Sequence, residues 1–323
     1  VTVRLERYGV NGLFVLIIWS GWLLYTLPHS WQVIEDYWQV TLTMVFGSIV
    51  AGATSEGGGA IAFPVFTKLL HIAPLDAKVF SLAIQSVGML AASMTIVMLR
   101  IQVLWWVIFW VSLGGFCGLT IGLLVAHLIA AEFIRMLFTM MAVSLALTLA
   151  FLDTGLQCNR VLMPVFSYKE VLILIGVGVV GGFISGLVGS GVDMLCFSVL
   201  VLLFRVNECV ATPTSVILMA IHSIFGILIQ VFVLEGINPQ VQAYWLAAVP
   251  VVVVGAPLGA LLCSRMPFYY IRYVLISLIM LELVSSLWIL HFDRLLITFS
   301  LSMLLMFLVL MTWMSRHKAY IVS

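Results

Sequence analysis

Apolar residues follow one another in this chain for longer than a soluble fold can bury. Runs at about 12–27, 78–99, 103–126, 132–151, 209–233, 241–263, 268–290 and 295–314 approach or exceed the ~20 residues a helix needs to cross a hydrocarbon core. Only helices and closed barrels satisfy their own backbone polar groups in lipid. Barrel strands alternate in polarity, whereas these runs are continuous. Charged residues make up 8% of the 323 residues, against roughly a quarter in soluble domains. The expected fold is therefore an all-α polytopic membrane protein, one transmembrane domain over 1–323. Net charge is +1 with no basic cluster, so the lipid bilayer is an expected partner and nucleic acid is not. Cys117, Cys158, Cys196, Cys209 and Cys263 have no CxxC or His-paired spacing and read as small apolar packers. No cofactor and no metal are expected. Arg4 and Arg7 precede the first run like the basic start of a signal peptide, but no A-x-A-like site follows. The run is read as the first span.

Two further regions, 39–70 and 170–204, depart from this pattern. Each is read as two shorter arms separated by a glycine break, T-S-E-G-G-G in one and G-L-V-G-S-G in the other. Glycine weakens helices through backbone entropy, so Gly57, Gly58 and Gly59 should interrupt whatever helix reaches them. The second arms, about 11 to 13 residues or under ~20 Å, are too short to span. Helical hairpins that enter and return are expected. Broken backbone at membrane depth is tolerated only against protein or a polar cavity, so each break reads as the wall of a site.

The two regions are copies. One constant shift, without a gap, superposes Gly47, Gly52 and Gly57 on Gly181, Gly186 and Gly191. It also superposes Phe63, Val65, Leu69, Ala77 and Ser81 on Phe197, Val199, Leu203, Ala211 and Ser215. After a short insertion, Gly114 and Gly118 match Gly255 and Gly259, a small-xxx-small spacing suited to close helix contact. The expected organisation is a first repeat over 39–151 and a second over 170–290, with flanking spans in 1–38 and 291–323. Each repeat has one hairpin and three crossings, so the second copy is inverted relative to the first. The fold then comprises about eight transmembrane helices plus two glycine-broken re-entrant hairpins. The positive-inside rule places both termini in the cytoplasm. Arg4, Arg7, Arg100, Arg160, Lys169, Arg205, Arg265, Arg272, Arg316 and Lys318 fall inside, against Lys68, Lys78, Arg135 and Arg294 outside. The same tally results if each broken region is a single discontinuous span, so arm length alone favours hairpins.

A helix restarting after each break presents free amides and a partial positive charge inside the membrane. Two such ends facing each other would bind a small, compact oxyanion without lysine or arginine. Gly57, Gly58, Gly59, Gly189 and Gly191 would let amides approach it, with hydroxyls from Ser55 and Ser190; the bland alternative is tight turns and packing. Ser81 with Gln85 four residues on, and Ser215 with His222 two turns on, are candidate cavity liners. Each could instead bond only to a neighbouring helix. Glu56 and Asp193 are candidate proton-coupling residues. An ionised Glu56 would repel an anion, while the protonated acid could donate to it, so proton and anion would favour each other's binding. Asp193 also has capping-box spacing from Ser190, and Glu56 could likewise cap. Pro64 and Pro213 read as helix-shaping, and Glu282 belongs to no motif.

At these residues the chain resembles the sulfite exporter TauE/SafE family of membrane transporters. The resemblance rests on EGGGAIAFP with DAKVFSLAIQS after it, and on GLVGSGVDMLCF followed by VATPTS. It covers roughly 39–290, although the second glycine cluster is thinner than the family's run and an acid precedes the first. The resemblance implies a multi-pass transporter of sulfite, organosulfonate or a related sulfur-containing anion in the plasma membrane, a bacterial inner membrane, working by alternating access. Export coupled to protons is the expectation, with no enzymatic activity; a homodimer is left open. A passive anion channel is the alternative, and sodium transport on Glu56, Asp193 and backbone carbonyls is also open. A serine–histidine protease on Ser190 and His222 fits less well. Position 188 is valine where a Gly-x-Ser-Gly pattern needs glycine, and Val192 interrupts a Gly-x-Gly-Asp pattern.

Overall fold

The computed structural model describes residues 2–54, 72, 74–151, 168–234, 236–266, 268–289 and 293–316. The first glycine break, with Ser55, Glu56, Gly57, Gly58 and Gly59, lies outside the described residues, as does Pro64. The helices are α1 (Thr2–Thr26), α2 (Ser30–Asp36), α3 (Trp38–Ala53), α4 (Pro74–Met98), α5 (Trp105–Val125) and α6 (Ala131–Phe151). They continue with α7 (Tyr168–Val188), α8 (Val192–Ser198, extended by a π turn over Val199–Leu203), α9 (Glu208–Phe232), α10 (Pro239–Arg265), α11 (Phe268–Ile289) and α12 (Arg294–Arg316). Among the described residues, seven helices are long and apolar enough to cross a membrane: α4, α5, α6, α7, α9, α10 and α12. This is an all-α, multi-pass membrane protein. The apolar stretches Gly12–Thr26 of α1 and Tyr273–Trp288 of α11 are shorter, as are α3 and Val192–Leu203.

One expectation changes here. The first arm of the second hairpin is not short: α7 has 21 residues, about 31 Å of helix. Only the returning arm is short, at about 18 Å over Val192–Leu203.

Glycines bring α5 and α7 together, backbone against backbone. A Cβ on Gly114, Gly118 or Gly122 would lie 2.2, 2.0 or 2.3 Å from the carbonyl oxygen of Ile175, Val179 or Phe183. Gly178, Gly182 and Gly186 press in the same way on Val111, Gly115 and Leu119. Both series advance by four residues, so the helices run parallel at small-xxx-small spacing. The matching glycines of α10 seat α3. A Cβ on Gly259 would lie 2.0 Å from Ile49 O, and one on Gly255 would lie 1.9 Å from Ser48 Oγ.

Helix directions follow from such pairs. Gly88 meets Val252 and Trp245 Nε1 donates to Ala83 O at 3.1 Å, so α4 runs parallel to α10. Likewise Gly115 meets His222 and Leu104 N donates to Thr214 Oγ1 at 3.1 Å, so α5 runs parallel to α9. Leu82, early in α4, packs on Gly226, late in α9; these two are antiparallel. Thus α3, α4 and α10 run one way, and α5, α7 and α9 the other.

Helices α1 and α11 attach through polar contacts. Pro250 has no N–H, which frees the carbonyl one turn earlier; Trp22 Nε1 of α1 donates to that Leu246 O at 2.7 Å. Glu282 of α11 accepts from Thr139 Oγ1 of α6 at 3.0 Å, and buried Arg135 of α6 lies near enough to interact with it electrostatically. The acid that fitted no motif is an interhelical tie.

Candidate functional site

At the second break the chain doubles back. Gly189 and Gly191 have φ of +96° and +147°, a region open to glycine and strained for other residues. A Cβ on Gly181 would lie 2.8 Å from Val192 Cα, and one on Gly191 2.7 Å from Ile184 Cγ2. The returning arm therefore lies alongside the helix it leaves, as a hairpin requires. A discontinuous span would carry Val192 onward, away from Gly181.

The break is received by α4. Gln85 Nε2 donates to Gly189 O at 3.0 Å and to Ser81 Oγ at 2.6 Å. Ser81 Oγ donates to the same carbonyl at a longer 3.5 Å. A Cβ on Gly189 would meet Ser81 Cβ at 2.8 Å and Lys78 O at 2.9 Å. The structure thus joins Ser81, Gln85 and Gly189, which the sequence assigned to opposite halves. Ser81 and Gln85 lie along the nearer half of α4, about 10 and 17 Å from its first residue.

The amides after the break are already engaged. Gly191 N and Met194 N both donate to Asp193 Oδ1, each at 3.0 Å. Val192 N donates to Ser185 Oγ at 2.8 Å. Asp193 reaches back to the helix start as a capping acid does, but the forward limb comes from Ser185 and not from Ser190. The backbone donors expected from Gly191 are consequently bound within the protein. Among the described residues, Ser190 Oγ, Asp193 Oδ2 and Gln85 Oε1 are buried without a hydrogen-bond partner.

Ser215 and His222 are not part of this cluster. Ser215 Oγ donates to Thr212 O of its own helix at 2.8 Å. His222 stacks near Phe116, with centroids 5.3 Å apart, and fills the space left by Gly115. Its Nδ1 lies 2.8 Å from Leu218 O and must donate there, which leaves Nε2 of a neutral ring as a bare acceptor. In that tautomer Nε2 has no proton to donate, and no hydrogen bond joins the ring to Ser190 as a catalytic dyad requires.

Among the described residues, two cavities flank the paired helices α4 and α9. One, of about 630 Å³, lies where α4 and α10 begin and α5 and α9 end, lined among others by Asp76, Lys78, His127, Gln230 and Asn238. The other, of about 20 Å³, lies at the opposite end, lined by Gly52, Ile96, Ile101, Thr212, Pro213 and Cys263 among others. Only the larger is the size of a small-molecule site, typically ~300–1,000 Å³.

The sequence model of the family Sulfite exporter TauE/SafE matches residues 40–286, well over half of the chain. The chain belongs to this family. Comparison with curated proteins and with solved structures found no match.

In this TauE/SafE chain, sequence reasoning missed Ser185, whose hydroxyl restarts the hairpin, and Lys78, which lines the cavity. Ser185 left a signal, lying one turn before Gly189 in a glycine-rich stretch. Lys78 had a plainer one, since it falls three residues before Ser81 and shares its helix face.

Proposed function

We propose that this TauE/SafE protein is a secondary transporter moving a small sulfur-containing oxyanion, sulfite or an organosulfonate, out of the cell across the plasma membrane. The observation that carries this reading is the second glycine break held against Ser81 and Gln85 in the interior of a chain of this family. Family membership supports the cargo class, and the break supports the place. The donor offered to the anion there is the Ser190 hydroxyl, since the amides of Gly191, Val192 and Met194 are occupied. The helix directions support an inverted duplication of 39–151 and 170–290. Read in chain order, α3, α4 and α5 run one way twice and then reverse, and α7, α9 and α10 do the same with opposite sense. The first glycine cluster, with Ser55, Gly57, Gly58 and Gly59, then supplies the other half of the site. Glu56 and Asp193 carry the coupled proton. In Asp193, Oδ1 is held by two amides, so Oδ2 is the atom to take it. A large cavity at one end and a small one at the other fit a carrier open to one side, working by alternating access with both termini cytoplasmic.

The test is flux in proteoliposomes with labelled sulfite and a panel of organosulfonates. Saturable flux of at least one of them supports the assignment. Absence of flux for all of them ends it.

A further inference from the structure

Lys78 is a lysine with almost no exposed surface, 4%, in the second turn of α4. An ammonium group withdrawn from water is costly unless it is paired or reaches a polar space. Among the described residues no hydrogen bond or ion pair reaches it, and the space it lines is the cavity of about 630 Å³. Asp76 lines the same wall, but side chains two residues apart on a helix do not face each other. Lys78, Ser81 and Gln85 are spaced i, i+3, i+7 and so form one stripe along α4. The inner two hold Gly189. The carbonyl of Lys78 packs on that glycine as well.

We propose that Lys78 is the anion-recruiting residue of the large cavity, the outermost rung of a polar stripe that leads a small oxyanion from solvent to the second glycine break. The inference rests on the anion-transport reading above and adds to it a cationic binding position, which that reading did without. A lysine suits the task. Its compact charge sits on a flexible stem and lacks the planar fork with which arginine grips an oxyanion bidentately, so it attracts the anion and lets it go. His127, Gln230 and Asn238 add to the polar lining, and Asp76 tempers the positive potential.

The test uses the full chain in proteoliposomes, with initial rates of labelled sulfite flux measured from the side on which this cavity opens. Lys78→Gln should raise KM about tenfold at low salt while changing the maximal rate less than about twofold. The gap should narrow as ionic strength rises. Lys78→Arg should stay within about threefold of the unsubstituted KM, because the charge is kept. Asp76→Asn removes a negative charge from the same wall and should lower KM, and the roughly tenfold KM rise of Lys78→Gln should persist in the Asp76→Asn background, which a packing role for Lys78 would not produce. An unchanged KM in Lys78→Gln, or an unchanged or raised KM in Asp76→Asn, overturns the inference while leaving the transport reading intact. Lack of sulfite flux in the unsubstituted protein overturns both. If Lys78→Gln yields no folded protein, Asp76→Asn and the salt dependence of the unsubstituted KM decide alone.

Discussion

The two ends of the α4–α9 pair carry residues that one sequence shift matches and differ in what lines them. The shift that superposes Ser81 on Ser215 also superposes Lys78 on Thr212 and Val79 on Pro213. Lys78 and Val79 line the cavity of about 630 Å³, while Thr212 and Pro213 line the one of about 20 Å³. Among the described residues, the large end adds charged, imidazole and amide side chains to an apolar lining, while the small end has none of these. A pair of helices crossing antiparallel thus offers equivalent positions to both faces, and the side chains decide which face admits a polar ligand. Mid-bundle the asymmetry recurs in volume. His222 of α9 presses on Gly115, where the equivalent contact sets Gly88 of α4 against Ala256.

The harshest way to break the comparison is at the hairpin. Gly189→Val combines a φ of +96° with a Cβ 2.8 Å from that of Ser81. Sulfite flux per correctly inserted protein should fall at least ~100-fold, with strain and overpacking each costing ~1–3 kcal/mol. Gly176→Ala, where a Cβ meets nothing within 4 Å, should leave flux unchanged. Next comes the volume swap. Gly115→Ala places a Cβ 1.9 Å from His222 Nε2 and should lower thermal stability in detergent. Adding His222→Ala should recover part of the loss, with a coupling of ~1–3 kcal/mol; additive losses would show that the two do not compete for one space. Smaller still, Gln85→Leu leaves Gly189 O without its shortest side-chain bond. It should cost ~1–3 kcal/mol and reduce flux several-fold. The mildest is Thr139→Val, which removes the tie to Glu282 far from either cavity. About 1 kcal/mol of stability should be lost with sulfite KM unchanged.

Much of this was legible in the sequence. Six of the seven long helices, all but α7, followed from apolar run length, and the close contacts at Gly114, Gly118, Gly255 and Gly259 followed from four-residue spacing. Composition cannot report which donors a neighbour will occupy. The amide of Gly191 therefore looked available until Asp193 Oδ1 was found on it. The length of α7 was hidden because Gly186 was counted into the break and Gly178, Gly181 and Gly182 made the arm before it look weak as a helix. They are instead the contact face of a continuous helix, stabilised by packing where intrinsic propensity is poor. Lys78, the first residue of the 78–99 run, was counted only among the outside charges, although the structure buries it.

Coupled transport through an interior site is the core of the account, and accumulation tests it most directly. Vesicles containing the full chain should concentrate labelled sulfite above its external level when an inward pH gradient is imposed. Glu56→Gln should keep downhill flux and lose that accumulation. Sulfite that only equilibrates, with or without the gradient, would contradict the account and identify a passive anion pathway in its place.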